Sequence, residues 1–226
     1  MTVMYDVSCP RHVSRTAKAS CDNRPMIILR ESSYLTVPWK NGGGVTREIL
    51  RVPAEPSAFD WRLSLATIDS PGPFSTFDDY HRTLVLVRGA GVELNFVQHG
   101  TSRLNAPGQT VAFDGAWQTS CTLLDGPSTD LNLIVSKDRA QSASRSVQLT
   151  GAETIQTSDW SELLVCCLSG AIRLTNTAGA MESLRAVDVA RCSASDGAIT
   201  CTAEGDVAAN VFVAAVRRRD VGSLSD

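Results

Sequence analysis

The feature that most limits what this chain can become is its rhythm. From Met26 onward, apolar runs of about four to eight residues, rich in Val, Ile, Leu and Thr, are broken by Gly, Pro, Asp or Ser roughly every ten residues. Runs that short fill β-strands but are too short for a helix that buries a face. The expected strands of the first half are Trp61 to Ile68, Thr83 to Arg88, Val92 to Val97, Thr110 to Phe113, Cys121 to Leu124 and Asp130 to Ser136. Those of the second are Leu163 to Leu168, Ala171 to Thr175, Val187 to Arg191, Ala198 to Thr202 and Val207 to Val216. Helical periodicity is nearly absent, apart from a weak turn at Thr157 to Glu162 with Thr157 or Ser158 as cap. Such a chain closes into an all-β sandwich or barrel.

An internal echo suggests that it does so twice. Leu86-Val87-Arg88-Gly89-Ala90-Gly91-Val92-Glu93-Leu94 resembles Cys167-Leu168-Ser169-Gly170-Ala171-Ile172-Arg173-Leu174, and Gly170 follows Gly89 by 81 residues. The same step lays Asp130 to Ser136 over Val211 to Val216. Two similar barrels in tandem would explain this; chance recurrence of an apolar-Gly-small-apolar string is the competing reading. The expected division is one barrel over residues 26–140, a second over 141–220, and a tail over 221–226. Residues 1–25 hold scattered Ser, Arg and Lys with little periodic apolar content. They read as a flexible tail, or as an extension upstream of a true start at Met26. A targeting peptide fits less well, because Asp6 and Asp22 interrupt the basic character.

Composition excludes several classes of function. With 21 Lys and Arg against 24 Asp and Glu, the formal charge of −3 does not suit a protein held on nucleic acid by phosphate contacts. The longest apolar stretch, Val207 to Val216, is about half of what crosses a bilayer and contains Asn210, so no membrane partner is expected. The seven cysteines are odd in number and show no CxxC spacing, which points to buried thiols in a reducing cytosol. Without a basic stretch leading into an apolar signal segment, a cytoplasmic location is the expectation. Of three histidines, His12 lies in the tail, leaving His81 and His99 without metal-ligand spacing. No metal, cofactor or catalytic residue is assigned; a Cys121/His81 dyad is the weak exception.

Four segments could carry chemistry. Val37-Pro38-Trp39-Lys40-Asn41-Gly42-Gly43-Gly44-Val45-Thr46-Arg47-Glu48-Ile49 places three glycines among polar and aromatic neighbours. Because a β-like run follows Gly44 where a phosphate loop would open a helix, the segment reads as a structural hairpin or as a loop at the mouth of a pocket. In Phe59 to Ile68, alternation sets Arg62, Ser64 and Ala66 on one face and Trp61, Leu63 and Leu65 on the other. A partly buried Arg62 then needs an anionic guest or an internal partner such as Asp60, Glu48 or Asp79. Gly72-Pro73-Phe74-Ser75-Thr76-Phe77 offers two aromatic plugs for a barrel end. In the strand after Asp125-Gly126-Pro127, Asp130 and Asn132 share a face, and a buried Asn132 would require hydrogen-bond partners.

Taken in order, Trp39 to Ile49, Phe59 to Ala66, Gly72 to Phe77, Arg82 to Leu94, and Phe113-Asp114-Gly115 with Gly126-Pro127 through Asn132 resemble the HutD/Ves family over roughly residues 26–220. That resemblance implies an all-β bicupin, two tandem cupin-like barrels or sandwiches with few short helices, lacking the usual His-rich metal motif. It also implies a ligand pocket in the first barrel. The residues assigned to it are Lys40, Asn41, Arg47, Arg62, Arg82 and Asn132, with Trp39, Trp61 and Phe74 as walls. Cationic and amide donors beside aromatic walls suit a small carboxylate.

Three functions remain open: a binding protein or governor of histidine utilisation that senses a small carboxylate such as urocanate or a formylated glutamate; a cupin-type enzyme acting on a small acid; and a structural or interaction protein whose arginines are spent on internal ion pairs. A homodimer is left open as well.

Overall fold

The computed structural model describes residues 26–54, 58–156 and 160–219. The tail expected before Met26, that over 221–226, and the helical turn expected from Thr157 lie wholly or largely outside them. Glu162, the last residue of that turn, instead opens the strand Glu162–Ser169. The helical content described is two single 3-10 turns, Glu31–Ser33 and Ala194–Asp196.

The strands form four sheets. A six-stranded sheet runs in the order Leu35–Pro38, Gly44–Val52, Trp61–Ile68, Ser128–Ser136, Tyr80–Arg88, Thr110–Asp114. A four-stranded sheet of Gly72–Pro73, Thr119–Leu123, Val92–Phe96 and Gly100–Leu104 completes the first barrel. In the second half a five-stranded sheet orders Ile27–Leu29, Val189–Ser193, Glu162–Ser169, Ala209–Arg218 and Ala140–Leu149. Its four-stranded companion holds Ala152–Ile155, Ile199–Ala203, Ala171–Thr175 and Met181–Arg185. Every pairing is antiparallel, so one face of each strand can serve one core and the other face another.

The alternation read in the sequence sorts the side chains into three cores. Odd positions Trp61, Leu63, Leu65, Leu131, Leu133 and Val135 pack with Leu164, Cys166, Phe212, Ala214 and Val216 of the other half. The two large sheets therefore lie back to back. Even positions Ile68, Leu84 and Leu86 face inward with Leu94, Phe96 and Phe113, and the second barrel is filled by Leu163, Val165, Cys167, Ile172, Val211 and others. One strand departs from the expected division at residue 26: Ile27–Leu29 pairs with Val189–Ser193 of the second barrel. Its neighbour Met26 is buried there and Ile28 packs on the same core.

The echo extends to topology and register. Ser128–Ser136 lies between Trp61–Ile68 and Tyr80–Arg88 as Ala209–Arg218 lies between Ala140–Leu149 and Glu162–Ser169. Ile134 faces Arg62 and Arg82 across the ladders, and Ala215 faces Ala143 and Leu163. Each member of the second trio stands 81 residues after its counterpart. Gly89 and Gly170 both turn the chain with positive φ. A Cβ at Gly89 would collide with Pro127 and Ser128.

Candidate functional site

A cavity of about 550 Å³ opens into the first barrel, within the size range of small-molecule sites. Its floor comes from the inward face of the central strands. Three levels follow from the register: Arg62 and Arg82 beside Ile134, Ser64 and Leu84 beside Asn132, and Ala66 and Leu86 beside Asp130. The mouth is the glycine loop with Trp39, Lys40 and Asn41, joined by Phe74 and Phe77.

Local sequence explains the loop. Gly42 adopts φ +71° and donates its N–H to the Trp39 carbonyl at 3.0 Å, and Asn41 Oδ1 accepts from Gly43 N–H at 3.0 Å. Trp39 is anchored by its indole N–H, which donates to Thr46 Oγ1 at 2.8 Å, and it meets Phe74 edge to face. A Cβ on Gly44 would run into the Thr67 carbonyl oxygen, with the Trp39 ring also close. Gly44→Ala is therefore expected to lower stability by about 2 kcal/mol or more. An unchanged thermal midpoint would show that the loop yields freely.

Arg82 is the most deeply set cation. It is 6% exposed, its guanidinium carbon 5.0 to 5.3 Å from the ring centres of Phe74, Phe77 and Phe113. Nη1 donates to the Ser75 carbonyl at 3.1 Å and Nη2 to Asn132 Oδ1 at 2.8 Å, while Nε has no partner. Burial lowers its pKa to about 10, with Asp130 acting in the opposite sense and Arg62 adding to the fall. Asn132 passes the chain on by donating Nδ2 to Asp130 Oδ1. Asp130 is 1% exposed, and its Oδ2 has no partner. Burial raises the Asp130 pKa to about 7, against the pull of Arg82 and the Asn132 hydrogen bond.

Arg62 stands on the same wall, half-buried. Its Nε lies 3.3 Å from Glu48 Oε2 but out of hydrogen-bonding alignment. Burial lowers its pKa, Glu48 opposes that, and Arg51 adds to it. Of the partners considered for Arg62, Glu48 is the one found. Asp60 instead ties Arg139 and Arg218 together, at 3.1 and 2.7 Å. The lining thus carries Lys40, Arg62 and Arg82 against one carboxylate, Asp130, and contains no His or Cys. Among the described residues no three His, Cys, Asp or Glu side chains group as a metal site.

Seven of the nine assigned residues line this cavity: Trp39, Lys40, Asn41, Arg62, Phe74, Arg82 and Asn132. Arg47 and Trp61 do not. Arg47 pairs with Glu31 beside the 3-10 turn. Trp61 is 2% exposed in the core between the large sheets, where its indole N–H meets no acceptor. Strand alternation alone sets Trp61 opposite Arg62, so it could not have been a wall of the same pocket. Asp130, Ser64, Thr46 and Phe77 line the cavity without having been assigned to it. The signal for Asp130 was its two-residue spacing from Asn132. Cys121 is a core thiol whose pKa burial raises to about 12, and His81 is exposed, which is the opposite of an activated pair.

At the positions of the second barrel equivalent to Arg62, Arg82, Asp130 and Asn132 stand Ala143, Leu163, Val211 and Val213. The two arginines, the acid and the amide of the floor are thus replaced by apolar residues in the second barrel, while Arg145, the counterpart of Ser64, pairs with Glu153. Two such cups back to back, the first of them hollow and cationic, define the class as a bicupin. A Bacillus subtilis oxalate decarboxylase has the same fold, with TM-score 0.62 over 95% of this chain and 86% of that one at 11% identity.

The family follows from closer relatives. A profile described as HutD matches residues 31–210, and the chain belongs to the HutD family. An uncharacterized 21.2 kDa protein in the hutC 3′ region of Pseudomonas putida is 44% identical over 113 residues, 50% of this chain and 59% of that protein. Protein Ves of Citrobacter koseri is 37% identical over 108 residues, 47% of this chain and 56% of that protein. The aligned part thus spans little more than half of these curated relatives. Among solved structures, a conserved protein of unknown function from Pseudomonas aeruginosa PAO1 gives TM-score 0.78 at 29% identity. HutD from Pseudomonas fluorescens SBW25, in a formate condition, gives 0.74 at 30%. Both comparisons cover 86% of this chain and all of the other. No helix among the described residues is long and apolar enough to cross a membrane.

Proposed function

We propose that this chain binds a small carboxylate in the first cup and acts as a governor or accessory factor of histidine utilisation. The observation that carries this reading is the charge of the cavity: three cations converge on a hollow lined by one carboxylate. Three cations set against one lining carboxylate favour an anionic guest, which a guanidinium can hold by two parallel hydrogen bonds. Arg62 is the anchor, because Arg82 is already engaged by Ser75 and Asn132. The place of one relative in a hutC 3′ region is what turns the reading toward histidine utilisation.

Thermal-shift measurements of the purified protein with urocanate, formylated glutamate and formate test it. Millimolar carboxylate is expected to raise the melting midpoint by mass action, and Arg62→Ala is expected to abolish most of the rise. No response to any of these acids would count decisively against the reading.

One feature favours the enzyme reading as well: Asp130 lines the cavity, and burial pushes its pKa up to about 7, the range that suits a general acid or base. Following each acid by NMR in the presence of catalytic amounts of protein separates the two. Unchanged spectra support binding without turnover.

A further inference from the structure

We propose that Asp130 selects the guest, so that the cavity takes carboxylates that also carry an N–H or O–H donor a short spacer away from the carboxylate. The inference rests on the carboxylate reading above and adds the other half of the ligand. Asp130 lines the cavity, and its Oδ2 is wholly buried without a hydrogen-bond partner. An orphaned buried carboxylate oxygen is costly, and burial is tolerated when a partner arrives. Asn132 holds Oδ1 and is itself held by Arg82. That chain leaves Oδ2 as the one oxygen of Asp130 still without a donor.

Position decides between a donor and a second acceptor on the guest. Asp130 stands four residues along the strand from Ile134, the level of Arg62, or about 13 Å at the backbone. A guanidinium on that level reaches down to Asn132, as Arg82 does, so a carboxylate on Arg62 and a donor on Asp130 are joined in one guest by a short spacer. The fold itself does not ask for the acid: the matching position of the second cup is Val211, fully packed. A group that the architecture replaces with valine, and that burdens the buried floor with charge, has its use in recognition.

Titration calorimetry on the full chain at about pH 8, above the Asp130 transition, compares three probes. They are N-acetyl-β-alanine, the keto acid in which CH2 replaces its amide N–H, and its methyl ester. The amide acid is expected to bind about tenfold or more tightly than the keto acid, because the latter leaves a buried acceptor unmet. That preference is expected to vanish in Asp130→Asn and in Asp130→Val, which copies the second cup. If the keto acid binds as well as the amide while the ester does not bind, water serves Oδ2. Donor selection is then overturned and the carboxylate reading stands. If the ester binds as well as the acid, the carboxylate reading falls, and a retained amide preference upholds the role of Asp130. Silence from all three overturns both.

Discussion

Arg82→Ala is expected to destabilise the protein by about 3 kcal/mol or more, lowering the midpoint by roughly 6 °C or more. The loss has named parts. Asn132 Oδ1 and the Ser75 carbonyl lose their donor, and three aromatic rings lose the cation they surround. Arg82→Lys should recover little, because an ammonium cannot fork to two acceptors in fixed directions. The second cup shows the remedy. Arg82→Leu, Asp130→Val and Asn132→Val together copy Leu163, Val211 and Val213, and should recover most of what Arg82→Ala loses, since removing a whole buried polar group set is far cheaper than removing one member. A midpoint within about 2 °C of the parent for Arg82→Ala would contradict this account of the floor.

The second large effect has the opposite sign. The Asp130 pKa rises on folding from 3.8 to about 7, with burial as the cause. The native state therefore keeps a proton that the unfolded chain releases, and stability falls as pH rises between those values. Below 3.8 both states are protonated and no penalty exists; above about 7 the penalty is complete. Asp130→Asn keeps the shape and an acceptor for Asn132, so it should melt like the parent near the acid end and higher at about pH 8, by a few kcal/mol. Denaturant titrations across that range would refute the assignment if the two stability curves ran parallel. The same variant should lose the amide preference, so stability and recognition would move apart at one residue.

Much of this was legible before any coordinates. Alternation in Trp61–Ile68 separated Arg62, Ser64 and Ala66 from Trp61, Leu63 and Leu65, and the faces are so divided. The glycine echo and its step carried over to strand order and register. What was hidden falls into two kinds. Ala140–Leu149 is Ser-rich and mostly exposed at a sheet edge, so no apolar run announced it. Gly100–Leu104 and Met181–Arg185 are short and polar for the same reason. Arg47 and Arg62 both sit in strands beside apolar neighbours, and composition does not tell which one faces inward. The register does: Glu48 stands opposite Ser64, one same-face step from Arg62, with which it pairs, while Arg47 stands opposite Leu65 and pairs with Glu31.

The core between the two large sheets has a consequence for how such a molecule can be divided. Leu63, Leu65, Leu131 and Leu133 are sealed only by Leu164, Phe212 and their neighbours, so cutting the gene near Lys137 would leave each fragment with a bare greasy slab. Neither fragment should persist as a monomer in dilute solution. The half with the hollow cup is thus unable to travel alone as an exchangeable cassette, and its twin remains as a permanent splint.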